Sequence, residues 1–205
     1  MNAIEKLTEI FGKFPGIGSR QAKRFVYFLL TKDRLFLENL SKNLLSLKKN
    51  IKVCGFCHRF YQSEISRSNL CRICSDKNRE VETLMVVEKD ADLENVERTG
   101  VYNGRYFVLG GVVPILEKNP EKLVRVNELL SLIESEMKNN GLNEVILATG
   151  VNPEGDNTRS FLMTLLKKSK EKKLKLSTLG RGLSTGTELE YSDAETLKSA
   201  LENRH

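Results

Sequence analysis

Followed for where its apolar residues recur, the chain changes character twice. Over residues 4–14, Leu7, Ile10, Phe11 and Phe14 fall at helical spacing and run into the breaker Pro15-Gly16. Ser19 is placed to cap a second helix, whose stripe Ala22, Phe25, Val26 and Leu29 repeats at i, i+3, i+4 and i+7. A third helix follows with Leu37, Leu40, Leu44 and Leu47 facing one way, so a small helical unit ends near Asn50. Residues 51–80 are irregular. From 81 onward short apolar runs alternate with helical patterns: TLMVV (83–87), YFVLGGVV (106–113), EVILAT (144–149) and LKLSTL (174–179) predict buried strands. Between them, Leu123, Val126, Leu130, Ile133 and Met137, and then Phe161, Leu162, Leu165 and Leu166, predict helices. Strand and helix in alternation predict an α/β domain on a mainly parallel sheet, within an α+β multidomain chain.

Composition sharpens this picture in two respects. The 205 residues are 40% hydrophobic, enough for a buried core, yet no apolar run approaches the roughly 20 residues that span a bilayer. The start MNAIEKLTEIF carries charges where a secretion signal needs an unbroken apolar segment, and a cytoplasmic location is expected. The formal charge of +6 is unevenly spread: residues 1–80 hold 16 Lys and Arg against 7 Asp and Glu, whereas residues 81–205 hold 17 against 20. A basic front on a slightly acidic back points to a polyanionic partner for the N-terminal part.

All four cysteines fall within 21 residues, as Cys54-x2-Cys57 and, after thirteen residues, Cys71-x2-Cys74. Each pair can turn two thiolates toward one cation, and two pairs close a tetrahedral site with no position left for substrate or water, so a structural zinc is expected. Disulfides compete, but a cytoplasmic chain keeps its thiols reduced; a redox Cys-x-x-Cys would not call for two such pairs. His58, beside Cys57, is read as a surface residue of the knuckle.

The stretch FPGIGSRQAKRF (14–25) joins two predicted helices through Pro-Gly-Ile-Gly, the pattern of a helix-hairpin-helix. Glycine allows positive φ and close backbone approach, so the amides of Gly16, Ile17 and Gly18 can converge on a phosphate oxygen at a helix N-terminus. Arg20, Lys23, Arg24 and Tyr27 recur about one turn apart, away from the core stripe, and would line the same DNA backbone. Such contacts read no base sequence. An ordinary turn before a solvated basic helix is the plainer alternative.

In this order, the hairpin, the four cysteines, VVEKDADLENVERTGVYNGRYFVLGG, EVILATGVNPEGDNT and the closing GRGLSTGTELEYSDAETLKSAL resemble the bacterial RecR family of recombination mediators over nearly the whole chain. The resemblance implies four parts: a helix-hairpin-helix domain over 1–52, a four-cysteine zinc finger over 53–80, a Toprim domain over 81–178 and a subunit-contact segment over 179–205. It implies homotetrameric rings, assembled from dimers, that can encircle DNA, and work with RecO and RecF to load recombinase at single-stranded gaps in the nucleoid. It assigns DNA contact to Arg20 and Arg24 with Lys23 in support, zinc ligation to Cys54, Cys57, Cys71 and Cys74, and RecO docking to Glu88, Glu144, Glu154 and Asp156. Two positions depart from the family: Phe107 stands where histidine is common, and Ser184-Thr185-Gly186-Thr187 where Pro-x-Gly-Gly is usual.

Catalysis is not expected. A catalytic Toprim domain holds Mg²⁺ with a strand-end glutamate and an Asp-x-Asp pair, because a metal that clamps a phosphoryl group needs several hard oxygen ligands close together. Here EVILAT runs into Gly150-Val151-Asn152, which leaves Glu88, Glu154 and Asp156 as an incomplete set. The rival reading is a Mg²⁺-dependent Toprim nuclease or primase acting through Glu88. Gly180 to Thr187 is glycine-rich but lacks the Gly-Lys-Ser/Thr ending of a nucleotide-binding loop.

Overall fold

The computed structural model describes residues 1–62, 69–168, 174–180, 182, 186, 189–192 and 194–202. The chain forms two compact units, Met1–Lys52 and Val53–His205. No described helix is long and apolar enough to cross a membrane.

The first unit holds three helices, α1 (Ala3–Gly12), α2 (Ser19–Leu30) and α3 (Arg34–Asn50). Asn2 and Glu5 cap α1 reciprocally, each side chain accepting the other's backbone N–H at 2.9 Å. Phe11 meets Phe14 and Phe25 edge-on, at 5.7 and 5.9 Å between ring centres, and Ala22 and Val26 of α2 are buried. Ser19 is not the cap of α2. Gly18 holds that place with extended backbone, and its carbonyl accepts the Ala22 N–H at 2.9 Å. Asp33 caps α3 by accepting the Phe36 N–H at 2.8 Å. The leucine stripe of α3 faces one way as its spacing predicts, yet Leu37, Leu44 and Leu47 stay exposed.

β1 (Ile51–Val53), which spans the boundary between the units, and β2 (Phe60–Gln62) form a two-stranded sheet, and α4 (Arg72–Ser75) is a single turn. There follow β3 (Thr83–Val87), α5 (Asp90–Thr99), β4 (Arg105–Val108), α6 (Val126–Asn139), β5 (Glu144–Ala148), α7 (Pro153–Lys168), β6 (Lys175–Thr178) and α8 (Ala194–Glu202). The larger sheet runs β4-β3-β5-β6 and every pairing in it is parallel, with Val86 opposite both Phe107 and Leu147. Alternate residues along each strand feed two cores. Leu84, Val86, Phe107, Leu109, Val145 and Leu147 pack with Leu129 and Ile133 of α6 and Leu162 and Leu166 of α7. Met85, Val87, Tyr106 and Val108 pack with Leu93 of α5, and with Cys54, Cys57, Cys71 and Ile73. On that second face the cysteine knuckle takes a place beside α5 in the covering layer.

The strand foreseen over 106–113 stops at Val108. Gly110 has φ +92°, and a Cβ there would lie 3.0 Å from the Arg125 guanidinium, whose Nη1 donates to the Val108 carbonyl at 2.9 Å. The chain turns away around that side chain. In the closing segment, Arg181, Ser184, Thr185, Thr187 and Glu188 lie outside the described residues.

Candidate nucleic-acid interface and metal centre

The hairpin forms between α1 and α2. Gly16 has φ +75° with open space where a Cβ would stand, so only its backbone conformation calls for glycine. The Ile17 N–H donates to the Phe14 carbonyl at 3.1 Å and closes the turn. The Ile17 amide is therefore engaged inside the turn, which departs from the expectation that the Gly16, Ile17 and Gly18 amides converge together, while helix geometry leaves the first-turn amides of α2, ahead of Ala22, without intrahelical partners. Arg20, Lys23, Arg24 and Tyr27 are all exposed on successive turns of α2. Among the described residues no carboxylate pairs with the three basic side chains. Lys23 and Tyr27 border a groove of about 470 Å³ whose other wall carries Glu5 and Glu9, so Lys23 stands in a less positive field than its neighbours.

The cysteines converge. Their four sulfurs all lie within 4.8 Å of one another, and among the described residues this is the one gathering of three or more Cys, His, Asp or Glu ligand atoms at such range. Cys57 Sγ is 3.7 Å from Cys71 Sγ. The edge of a tetrahedron with metal–sulfur bonds of about 2.3 Å is about 3.8 Å, so the donor set fits a closed four-sulfur metal site. Local hydrogen bonds shape the knuckle: the Cys54 N–H donates to the Arg59 carbonyl at 2.9 Å, His58 N–H to Cys54 carbonyl at 3.1 Å, and Cys71 N–H to Cys54 Sγ at 3.3 Å. Contacts with Cys57 first, then Cys71 and Cys74, hold the Cys54 thiol far below its usual range, while the contact with Cys54 pushes Cys57 and Cys74 up. Four sulfurs at this range are suited to a cation that replaces their protons. His58 stays out of the set, in a left-handed conformation with φ +58°, its ring 5.2 Å from that of Phe107. Burial, and then the charge of Arg125, lowers its pKa.

Three ties, one to strand β4 and two to helix α5, hold the knuckle in place, and none is legible in the sequence. Val108 N–H donates to the Cys57 carbonyl at 2.8 Å, Phe60 N–H to Asp90 Oδ1 at 2.7 Å, and Arg59 pairs with Glu94 at 3.0 Å. The signal that could have found the last two is the acid-rich run Asp90, Asp92 and Glu94 directly after a strand, opposite a basic knuckle.

The acidic residues do not form one cluster. Glu88, just past the C-terminal end of β3, is buried and accepts the Gly150 N–H at 2.7 Å. Glu154 and Asp156 stand in the first turn of α7, where carboxylates suit the helix dipole, and Asp156 pairs with Arg159 at 2.6 Å. Gly155 touches the Gly150 backbone so closely that a Cβ would lie 2.1 Å from the Gly150 carbonyl oxygen. Glu144 opens β5 opposite Thr83, at the other end of the sheet from Glu88 and, at about 3.3 Å per residue, roughly 16 Å from it along the strands. It bonds Ser177 at 2.6 Å and Lys175 at 3.0 Å, and these contacts, Ser177 first, hold its carboxyl below the ordinary range.

Comparison with known proteins agrees with this architecture. The family described as "RecR, helix-hairpin-helix" matches residues 4–47, "Toprim domain" residues 82–179 and "RecR, C-terminal" residues 182–205. The chain is 35% identical to recombination protein RecR of Ligilactobacillus salivarius, over 98% of this chain and 96% of that one. It is 34% identical to RecR of Bdellovibrio bacteriovorus, over 100% and 97%, and 36% identical to RecR of Mycobacterium leprae, over 98% and 96%. Helix-hairpin-helix, Toprim and C-terminal segments thus follow one another in a chain similar along nearly its whole length to these proteins, and the chain belongs to the RecR family of recombination proteins.

Proposed function

We propose that the chain is a DNA-binding recombination mediator with no chemistry of its own. The observation that carries this reading is the start of α2, where exposed Arg20, Lys23 and Arg24 follow a glycine corner at Gly16 and carry no carboxylate partner among the described residues. Backbone amides and guanidiniums so arranged fit phosphate oxygens and ignore base identity.

In this reading residues 1–52 hold DNA, and 53–80 form a zinc-stabilised joint. Residues 81–178 recruit RecO, with RecF acting alongside, and 179–205 contact another subunit. Zinc is the metal that four sulfurs with no open position suit best, and its role is structural. Glu154 and Asp156 form the RecO surface with Glu88 buried behind them; Glu144 joins it only if the partner reaches around the sheet. The exposed leucine stripe of α3 supports self-association, in keeping with dimers that build a tetrameric ring. The protein acts on the nucleoid, in the cytoplasm.

A non-enzymatic role is supported by Glu88, whose carboxylate is committed to the Gly150 amide where a catalytic Toprim domain carries an Asp-x-Asp pair. Incubation with gapped, nicked and supercoiled DNA plus Mg²⁺ tests both statements together. Salt-sensitive, sequence-independent binding with intact DNA is the expected result. Cleavage or synthesis lost in Glu88→Gln would replace this reading with the enzymatic one.

A further inference from the structure

Cys54, Cys57 and Cys71 are at most 1% exposed and belong to the apolar cluster of Met85, Val87, Tyr106 and Val108. Cys74 differs, being only partly buried and packed against that cluster rather than enclosed in it. We propose that Cys74 is the modification site of the knuckle: soft electrophiles and peroxides react at its sulfur before the other three, and that reaction opens the knuckle. The inference rests on the reading that the four sulfurs hold zinc as thiolates.

When all four sulfurs are thiolates, access and hydrogen bonding separate their reactivities. Cys54 Sγ is shielded and also accepts the Cys71 N–H, which draws off its electron density. Cys74 alone of the four is not a fully buried residue. With hydrogen peroxide, the Cys74 thiolate attacks one oxygen, the O–O bond breaks, hydroxide leaves and a sulfenic acid forms. A second thiolate of the group then attacks that sulfur, displacing hydroxide and forming a disulfide. Two thiolates lose two electrons in all, and the peroxide becomes two hydroxides. The second thiolate has little distance to cover, since all the ligand atoms lie within 4.8 Å of one another. Loss of these ligands slackens the knuckle at Cys57, whose carbonyl holds Val108 on the outer edge of β4.

The test uses purified full-length protein of measured zinc content, treated with limiting N-ethylmaleimide and mapped by peptide mass analysis while a chromogenic chelator follows zinc release. Addition of sulfur across the maleimide double bond should label Cys74 about tenfold faster than any other cysteine, with zinc release tracking the Cys74 adduct. Under peroxide, Cys74→His, which offers an imidazole ligand without a thiolate, should release zinc about tenfold more slowly than the unaltered chain. Equal labelling of the four cysteines, or peroxide release from Cys74→His at the unaltered rate, would overturn the proposal. Should the variant fail to hold zinc, the labelling order in the unaltered chain decides alone. Near one zinc per chain with unselective labelling removes only this inference, whereas a metal content near zero removes the zinc reading beneath it.

Discussion

The backbone N–H of Val108 donates to the carbonyl of Cys57 at 2.8 Å, so the outer edge of the large sheet is continued by the cysteine knuckle. Cys54, Cys57 and Cys71 also sit in the same apolar cluster as Met85, Val87 and Tyr106. Knuckle and sheet share one core and are expected to lose stability together.

Metal removal should therefore lower the melting temperature of the whole second unit instead of melting a separate finger. A loss of only ~3 kcal/mol would move Tm by roughly 6–12 °C in a chain of this size. Calorimetry with and without a zinc chelator checks this; an unchanged main transition beside a small separate one would contradict it.

Replacing Arg20 and Arg24 together by Ala should weaken DNA binding about tenfold or more at low salt and lower the slope of log affinity against log salt by about 2, equally for unrelated sequences. Circular dichroism should be unchanged, because both side chains are exposed. Binding isotherms at several salt concentrations give both quantities.

Gly16→Ala should cost ~1 kcal/mol and reduce affinity without touching a charge. The added methyl meets no atom within 4 Å, and the whole penalty is the φ of +75°. Gly155→Ala is the contrasting case, since its methyl would enter the Gly150 carbonyl; overpacking of this kind costs ~1–3 kcal/mol. Urea midpoints for the two variants should separate the effects, with DNA binding retained in Gly155→Ala under native conditions.

Glu144 supplies a pH signature. Its pKa is lowered in the folded chain, first by the Ser177 hydroxyl and then by Lys175, so the folded state binds that proton less readily than the unfolded state. The ionised carboxylate stabilises the fold above the ordinary carboxylate range, and the contribution fades as pH falls through the lowered pKa. Glu144→Gln should be less stable than the unaltered chain at neutral pH, and the gap should close in acid. A constant gap across pH would refute the assignment.

Much of the architecture was readable from residue spacing because the forces that set it are local. TLMVV is β3 as spaced, EVILAT and LKLSTL contain β5 and β6, and the two Cys-x2-Cys pairs converge as their spacing requires. Two of the misses are long-range, the end of β4 and the scatter of the acidic residues, and two are local. Strand β4 ends at Val108 because Arg125, seventeen residues on, occupies the space beside Gly110. Short β1 and β2 lack enough residues for alternation to show, and residues 51–80 looked irregular for that reason. The acidic residues read as one cluster because their types match, but parallel register puts Glu144 and Glu88 at opposite ends of the strands. The capping role of Gly18 rests on backbone conformation, which Ser19, a better capping residue by type, concealed.

The strand order has a last consequence, for how the molecule is made. Strand β3 lies between β4 and β5, and Thr83 pairs with Glu144, 61 positions later. Pairings so distant form slowly, since a long loop must close before any contact compensates for it. On the ribosome the cysteines emerge well before β5, so for much of synthesis they wait beside an incomplete sheet.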